Sequence, residues 1–357
     1  MGVLASVRGS GGGVSTSGPL LDVRHLVQEF EVRAQGGVRS GTVQAVTDVS
    51  FTLEKGETLG LVGETGSGKS TLARAILQAP RPKSGEVRFE GADLVKLGGR
   101  ELLRARRHMQ MVFQDPFGSL DPKWSAARIV EEPLMAFRTG TRAERRRRVT
   151  EVLERVGLDP ERYGDRRPRS LSGGQAQRVA IARALALDPA LIIYDEAVSS
   201  LDVLIRAQVL NLLERLRSEL SLTYLFIAHD LALVKQVSDR VAVMYLGKLV
   251  EIGPAESLYR EPLHPYTVAL LASIPNPDPG APRPPVAKTI RGEPPSPIDP
   301  PSGCRFRTRC PRAQDVCAEV EPPLRPLASG HFAACHFPVS REAPAPEAAK
   351  SGLASER

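Results

Sequence analysis

LVGETGSGKST, residues 61–71, joins an apolar run to a helix-forming run through Gly63, Gly66 and Gly68 and closes on Lys69 and Ser70. The segment fits G-x-x-x-x-G-K-[ST], with strand-like TLGLV before it and LARAIL at helical spacing after it. That strand–loop–helix setting is the one in which the pattern means a phosphate-gripping P-loop. Gly66 and Gly68 carry no Cβ to hold the backbone away, so successive N–H groups of Gly63, Glu64, Thr65, Gly66, Ser67, Gly68, Lys69, Ser70 and Thr71 can wrap a phosphate at a positive helix end. Lys69 would reach the β- and γ-phosphates and the Ser70 hydroxyl would ligate Mg²⁺.

A second stretch, LSGGQAQRVAIARALALDPALIIYDEA at residues 171–197, repeats the theme. Ser172 stands three residues before Gln175, a capping-box spacing, and Gly173 and Gly174 would leave open N–H groups at the same anion-seeking end. The apolar run Leu191–Tyr194 then delivers Asp195 and Glu196 at its C-terminal end, where ligands of open α/β sheets sit. Asp195 is placed to hold Mg²⁺ and Glu196 to polarise an attacking water.

The rest of the chain frames these two stretches. Its 357 residues have ordinary apolar content, enough for one large or two modest domains with a real core. No run approaches the roughly 18 apolar residues of a membrane span, and the Gly/Ser-rich residues 1–19, which lack a secretory apolar core, read as a flexible leader with a cytosolic address. The net charge of +7 invites a nucleic-acid reading, but Arg145 to Arg148 flank Val149, Val152, Leu153 and Val156 on one helical face, so the arginines read as its solvated side. Alternating residues 20–60 predict a β-rich lobe; residues from about 115 to 190 look mainly helical; then LIIY, a helix from about Ile205 to Leu220, TYLFIA and the hairpin-like VAVMYLGKLVEIG restore a strand–helix alternation. Pro275 to Pro301 read as an extended arm and residues 339–357 as a disordered tail.

All four cysteines fall late, as C-x5-C-x6-C-x17-C at Cys304, Cys310, Cys317 and Cys335. With disulfides disfavoured in a cytosolic chain, four thiolates can bind either a tetrahedral Zn²⁺ or a [4Fe–4S] cluster, although the short C-x2-C knuckles typical of zinc are absent. Lying far along the chain from Lys69 and Glu196, such a module need not take part in hydrolysis; its work would be to staple a core-poor segment.

From about residue 20 to 275 the sequence resembles the ABC-type ATPases. Gly63 to Ser70 corresponds to their Walker A motif, LSGGQ to their signature and LIIYDE to their Walker B strand with its catalytic glutamate, Glu196. Gln114 in VFQDP corresponds to the Q-loop glutamine, also a Mg²⁺ contact, Ser200-Leu201-Asp202 to the D-loop, and His229 in FIAHD to the switch histidine. The resemblance implies an α/β P-loop fold of ABC type, with a β-rich lobe, a RecA-like core and a helical subdomain at about 115–185, spanning residues 20–260. It implies ATP sandwiched between the P-loop of one subunit and Ser172, Gly173, Gly174 and Gln175 of a second, either a copy or a paralogue. Phe30 is a candidate to stack on adenine and equally a candidate core residue of the β lobe.

Residues 260–278, REPLHPYTVALLASIPNPD, resemble the C-terminal extension of the oligopeptide/dipeptide permease ATPases, placing a small cysteine-bearing extension at 261–338. Ala197 and Arg169-Ser170 depart from that subfamily's usual residues. The resemblance favours the [4Fe–4S] cluster over zinc, and over the third alternative of four free thiols. It implies ATP-driven uptake of peptides, or a related small solute such as nickel or glutathione, through two separate permease subunits, with a solute-binding protein outside and this chain on the cytoplasmic face of the membrane. The alternative, a soluble ABC ATPase acting on nucleic acid or ribosomes, fits less well with a single cassette and no coiled-coil heptads. A nucleotide-binding scaffold without turnover is opposed by the intact Glu196 and His229.

Overall fold

The computed structural model describes residues 18–33, 39–199, 201–274, 290 and 292–339. Most of the leader, most of the proline-rich arm before Gly292, Ser200 and the tail beyond Val339 lie outside the described residues.

In chain order, β1 (Leu21–Arg33), β2 (Arg39–Leu53) and β3 (Thr58–Val62) lead into α1 (Lys69–Ile76). Then come β4 (Ser84–Phe89), β5 (Ala92–Asp93), α2 (Gly99–Arg107) and β6 (Met109–Val112). A helical stretch follows: α3 (Pro116–Ser119), α4 (Ala126–Ala136), α5 (Arg142–Arg155), α6 (Pro160–Tyr163) and α7 (Gly173–Leu185). The chain continues through β7 (Leu191–Asp195), α8 (Val203–Leu220), β8 (Thr223–Ile227), α9 (Leu231–Val237), β9 (Arg240–Tyr245) and β10 (Lys248–Pro254). It closes with α10 (Ala255–Arg260), α11 (Pro265–Ala272), α12 (Val316–Glu319), β11 (Arg325–Ala328) and β12 (His331–Ala333).

Two sheets result. The lobe predicted from residues 20–60 is a 4-stranded antiparallel sheet ordered β2-β1-β4-β5. The core sheet has 8 strands ordered β11-β12-β10-β9-β3-β8-β7-β6. Strands β9, β3, β8, β7 and β6 run parallel, and β3, β7 and β8 are buried along their whole lengths, which is why they read as continuous apolar runs. Beyond β9 the pairing turns antiparallel through the β9–β10 hairpin and on to β12 and β11. Among the described residues no helix is long and apolar enough to cross a membrane.

The helical region packs α4, α5 and α7 around Ile129, Val130, Val149, Val152, Leu153 and Val179. The basic run on α5 divides in two: Arg146 and Arg147 are exposed, whereas Arg145 pairs with Glu131 at 2.9 Å and Arg148 donates to the carbonyls of Leu185 and Ala186. Only part of the run is the solvated face expected from sequence; Arg148 caps the C-terminal end of α7, where free carbonyls need donors.

The extension is built into the core sheet rather than hung from it. Glu251, on β10 and 0% exposed, accepts hydrogen bonds from the amides of Leu263 and His264, each at 2.8 Å, and lies 2.8 Å from Nε2 of His331 at the start of β12. Burial holds His264 down at about 4, so its neutral ring accepts the Tyr266 amide at 3.1 Å and caps α11. Val339, assigned from sequence to the tail, is tied back by its N–H to the Leu263 carbonyl.

Candidate functional site

Four neighbouring parallel strands, β3, β8, β7 and β6, end on one rim of the sheet. From that rim they deliver, in order, the P-loop, His229, Asp195 with Glu196, and Gln114. Motifs spread over nearly half of the chain thus converge at the carboxyl ends of adjacent strands.

The loop after β3 has little freedom. Gly68 sits at φ 106°, and a Cβ there would meet the Ala45 carbonyl oxygen at 2.1 Å, so only glycine fits against β2. Gly66 also has positive φ, at 81°, but faces open space, so its requirement is conformational alone. Lys69 is 4% exposed and donates to the carbonyls of Gly63 at 2.7 Å and Glu64 at 3.0 Å. Its ammonium is thus held folded back along the loop. Burial pushes its pKa down, against the pull of Glu196, Asp195 and Glu64.

Ser70 Oγ donates to Asp195 Oδ1 at 2.7 Å, which joins the two residues assigned to Mg²⁺. Burial raises the Asp195 carboxyl, and the Ser70 hydrogen bond opposes that rise. Glu196 turns off the end of β7 at φ 49°, a left-handed backbone uncommon outside glycine, which aims its side chain across the site. Its carboxylate accepts from Gln114 Nε2 at 3.1 Å, with His229 Nδ1 at 3.6 Å and Lys69 Nζ at 3.9 Å. One carboxylate is therefore ringed by an amide, an imidazole and an ammonium.

The signature stretch lies elsewhere on the same chain, at the N-terminus of α7. Ser172 Oγ accepts the Gln175 amide at 3.3 Å and Gln175 Oε1 accepts the Ser172 amide at 3.0 Å, the reciprocal cap read from the sequence. Gly174 has a second duty that sequence alone missed: a Cβ there would stand 2.5 Å from Ile205 Cγ2, so it is what lets α7 pass close to α8. Of the D-loop residues, Leu201 is buried beside Gly173, Asp202 caps α8 by accepting the Ile205 amide at 2.9 Å, and Ser200 lies outside the described residues. Phe30 is 40% exposed on β1, so it is not a core residue of the lobe.

The four cysteines are unpaired. The Cys304 amide donates to the Cys317 carbonyl at 2.8 Å, and all four thiols lie within electrostatic reach of one another. Burial pushes Cys304 up to about 11, Cys335 up to about 12, and Cys310 upward as well. Among the described residues, no three His, Cys, Asp or Glu side chains form a set that could hold a single metal ion.

A grip for the phosphates of a nucleotide, beside a carboxylate poised over the same loop, defines a P-loop nucleotide hydrolase. Comparison with known proteins specifies which kind. Residues 46–199 match the ABC transporter family, and residues 250–317 match the oligopeptide/dipeptide transporter C-terminal region. The oligopeptide transport ATP-binding protein AppF of Bacillus subtilis is 48% identical over 320 residues, covering 89% of this chain and 97% of its own. A Brucella ovis protein whose name refers to peptide import is 49% identical over 320 residues, covering 90% of this chain and 98% of its own. A dimeric, post-hydrolysis ATP-binding cassette, MJ0796 bound to ADP and phosphate, superposes with TM-score 0.59 at 30% identity, covering 66% of this chain and 98% of that one. The chain belongs to the ATP-binding subunits of ABC transporters, and it is an ATPase.

Proposed function

We propose that this chain is the ATP-hydrolysing subunit of an importer of oligopeptides or dipeptides, peripheral on the cytoplasmic face of the membrane and working through two separate permease subunits. The observation that carries the solute class is the match of residues 250–317 to the oligopeptide/dipeptide transporter C-terminal region. Names of the AppF and Brucella relatives point the same way. The nucleic-acid alternative gains nothing from the basic run on α5, since Arg145 and Arg148 are engaged inside the helical subdomain.

In this reading Lys69 leaves the Gly63 and Glu64 carbonyls for the β- and γ-phosphates, and the loop amides take the remaining phosphate oxygens. Phe30 stacks on the adenine. Ser70, Asp195 and Gln114 would hold Mg²⁺, which when bound neutralises charge on the phosphate oxygens. Glu196 accepts the proton of the attacking water, while Gln114 and His229 fix the direction of its carboxylate. A second ATP-binding subunit, copy or paralogue, closes the site with its own Ser172, Gly173, Gly174 and Gln175, the D-loop lying at the same junction. That the structural neighbour is a dimer supports this arrangement.

The test is uptake of a labelled peptide in cells lacking the gene. Uptake should fall to background, return with the wild-type chain, and stay at background with Ser172→Arg, even though purified Ser172→Arg still binds ATP on its own P-loop. Normal peptide uptake in the deleted strain would overturn the solute class; restoration by Ser172→Arg would overturn the shared site.

For the cysteines the proposal is a [4Fe–4S] cluster held by Cys304, Cys310, Cys317 and Cys335, with zinc as its competitor. Four unpaired thiols within electrostatic reach of one another are donors of the type either group takes, although among the described residues no three are gathered tightly enough for a single ion. Protein purified without air should be brown, with about four irons per chain. Colourless protein with one zinc per chain would put zinc in its place.

A further inference from the structure

The cysteine module and the P-loop, at opposite ends of the sequence, meet at Glu64. Arg309, 7% exposed, sets Nη1 at 2.9 and 3.1 Å from the two carboxylate oxygens of Glu64. Tyr266, fully buried on α11, accepts the Glu64 amide on its hydroxyl at 2.9 Å. The Glu64 carbonyl in turn receives Lys69 at 3.0 Å. The amide and carboxylate of this loop residue are thus held by the extension, and its carbonyl by the lysine that will reach for phosphate.

The two clamping groups are themselves set firmly. Phe306 packs at 5.2 Å from Tyr245 and 5.3 Å from Tyr266, and the Arg309 guanidinium lies 5.8 Å over the Tyr245 ring. Arg305, four residues earlier, donates to the Leu246 carbonyl and to Gln44 Oε1 at 2.6 Å, while Gly247, next along, donates its amide to Ser67 of the P-loop at 2.9 Å. Arg305, Phe306 and Arg309 all lie in the segment between Cys304 and Cys310.

We infer that Arg309 is a positioning residue for the nucleotide: through Glu64 it holds the P-loop in its phosphate-binding shape, so that the C-terminal module sets the affinity for ATP. The inference rests on residues 63–70 being the ATP site. A hydrogen-bonded ion pair with one partner buried over the Tyr245 ring is stronger than one on the open surface, because water competes less for it. A loop already in its bound shape loses less freedom when ATP arrives. The effect therefore falls on binding, since the Arg309 hydrogen bonds go to Glu64 and Tyr245 and the groups around Glu196 are Gln114, His229 and Lys69.

The experiment compares full-length wild type with Arg309→Gln, Arg309→Lys and Tyr266→Phe, measuring ATP hydrolysis against ATP concentration and direct nucleotide binding. Arg309→Gln should raise the KM and the Kd for ATP on the order of tenfold, equivalent to about 1.4 kcal/mol, with kcat held within about twofold. Arg309→Lys keeps a charge at the same place and should recover most of the loss. Tyr266→Phe removes one hydroxyl without disturbing the aromatic packing and should weaken binding by a smaller factor. Unchanged KM and Kd in both Arg309→Gln and Tyr266→Phe, or a fall in kcat with KM fixed, would overturn the inference. A Lys69→Ala chain that still bound ATP normally would instead overturn the reading of the site itself.

Discussion

Glu196→Gln should bind ATP as wild type does and lose nearly all turnover, with kcat falling on the order of a thousandfold, the range of a lost general base. The substitution keeps the size of the side chain and one oxygen that can accept from Gln114, now at 3.1 Å. What it removes is the negative charge that draws a proton from water. Its aim is fixed by the left-handed backbone at φ 49°, which glutamine inherits unchanged, so a loss of rate reports on charge rather than position. With hydrolysis blocked, the ATP-bound pair of subunits should persist and be seen as a dimer by ultracentrifugation. Turnover near the wild-type rate would remove Glu196 from the role of base.

Glu251→Ala should produce the largest loss of stability. The carboxylate is 0% exposed and serves two backbone amides and the His331 ring at once, so its removal strips the Leu263 amide and two buried groups, the His264 amide and the His331 ring, of this partner. Breaking a buried polar cluster by deleting one partner costs about 3–5 kcal/mol. Because those partners belong to the start of α11 and to β12, the damage should concentrate in residues after 260, seen as protease cleavage there before the core yields. Glu251→Gln retains an acceptor oxygen and should cost less. An unchanged melting temperature and cleavage pattern in Glu251→Ala would show that the cluster is dispensable.

The parts of the site legible in the sequence are those whose geometry is local. A P-loop, a capped glycine-rich helix start and an apolar strand ending in Asp195-Glu196 each carry their shape in a few consecutive residues, and strand–helix alternation then predicts that the first and the last share one rim. What depended on distant partners was illegible. Gly174 reads as an open amide until α8 places Ile205 against it. Glu251 draws no separate reading within the hairpin-like VAVMYLGKLVEIG, although its place within LVEIG was a usable sign of burial. Arg309 and Glu64 stand 245 positions apart, and cysteine spacing says nothing about which surface a module will face. The remoteness of the cysteine module from the P-loop was remoteness along the chain only.

The antiparallel continuation of the core sheet also has an order in time. A ribosome finishes β10 long before it reaches β12, so the nascent ATPase passes through an interval in which β10 has its β9 partner and a bare opposite edge. An unpaired edge is an invitation to neighbouring chains, and a nonsense codon anywhere between the two strands would make that interval permanent. When β12 finally arrives it brings β11 as the new border, four residues long and interrupted by Pro326, a poor template for further pairing. Truncated alleles of this gene should therefore be found in inclusion bodies rather than as weakened transporters.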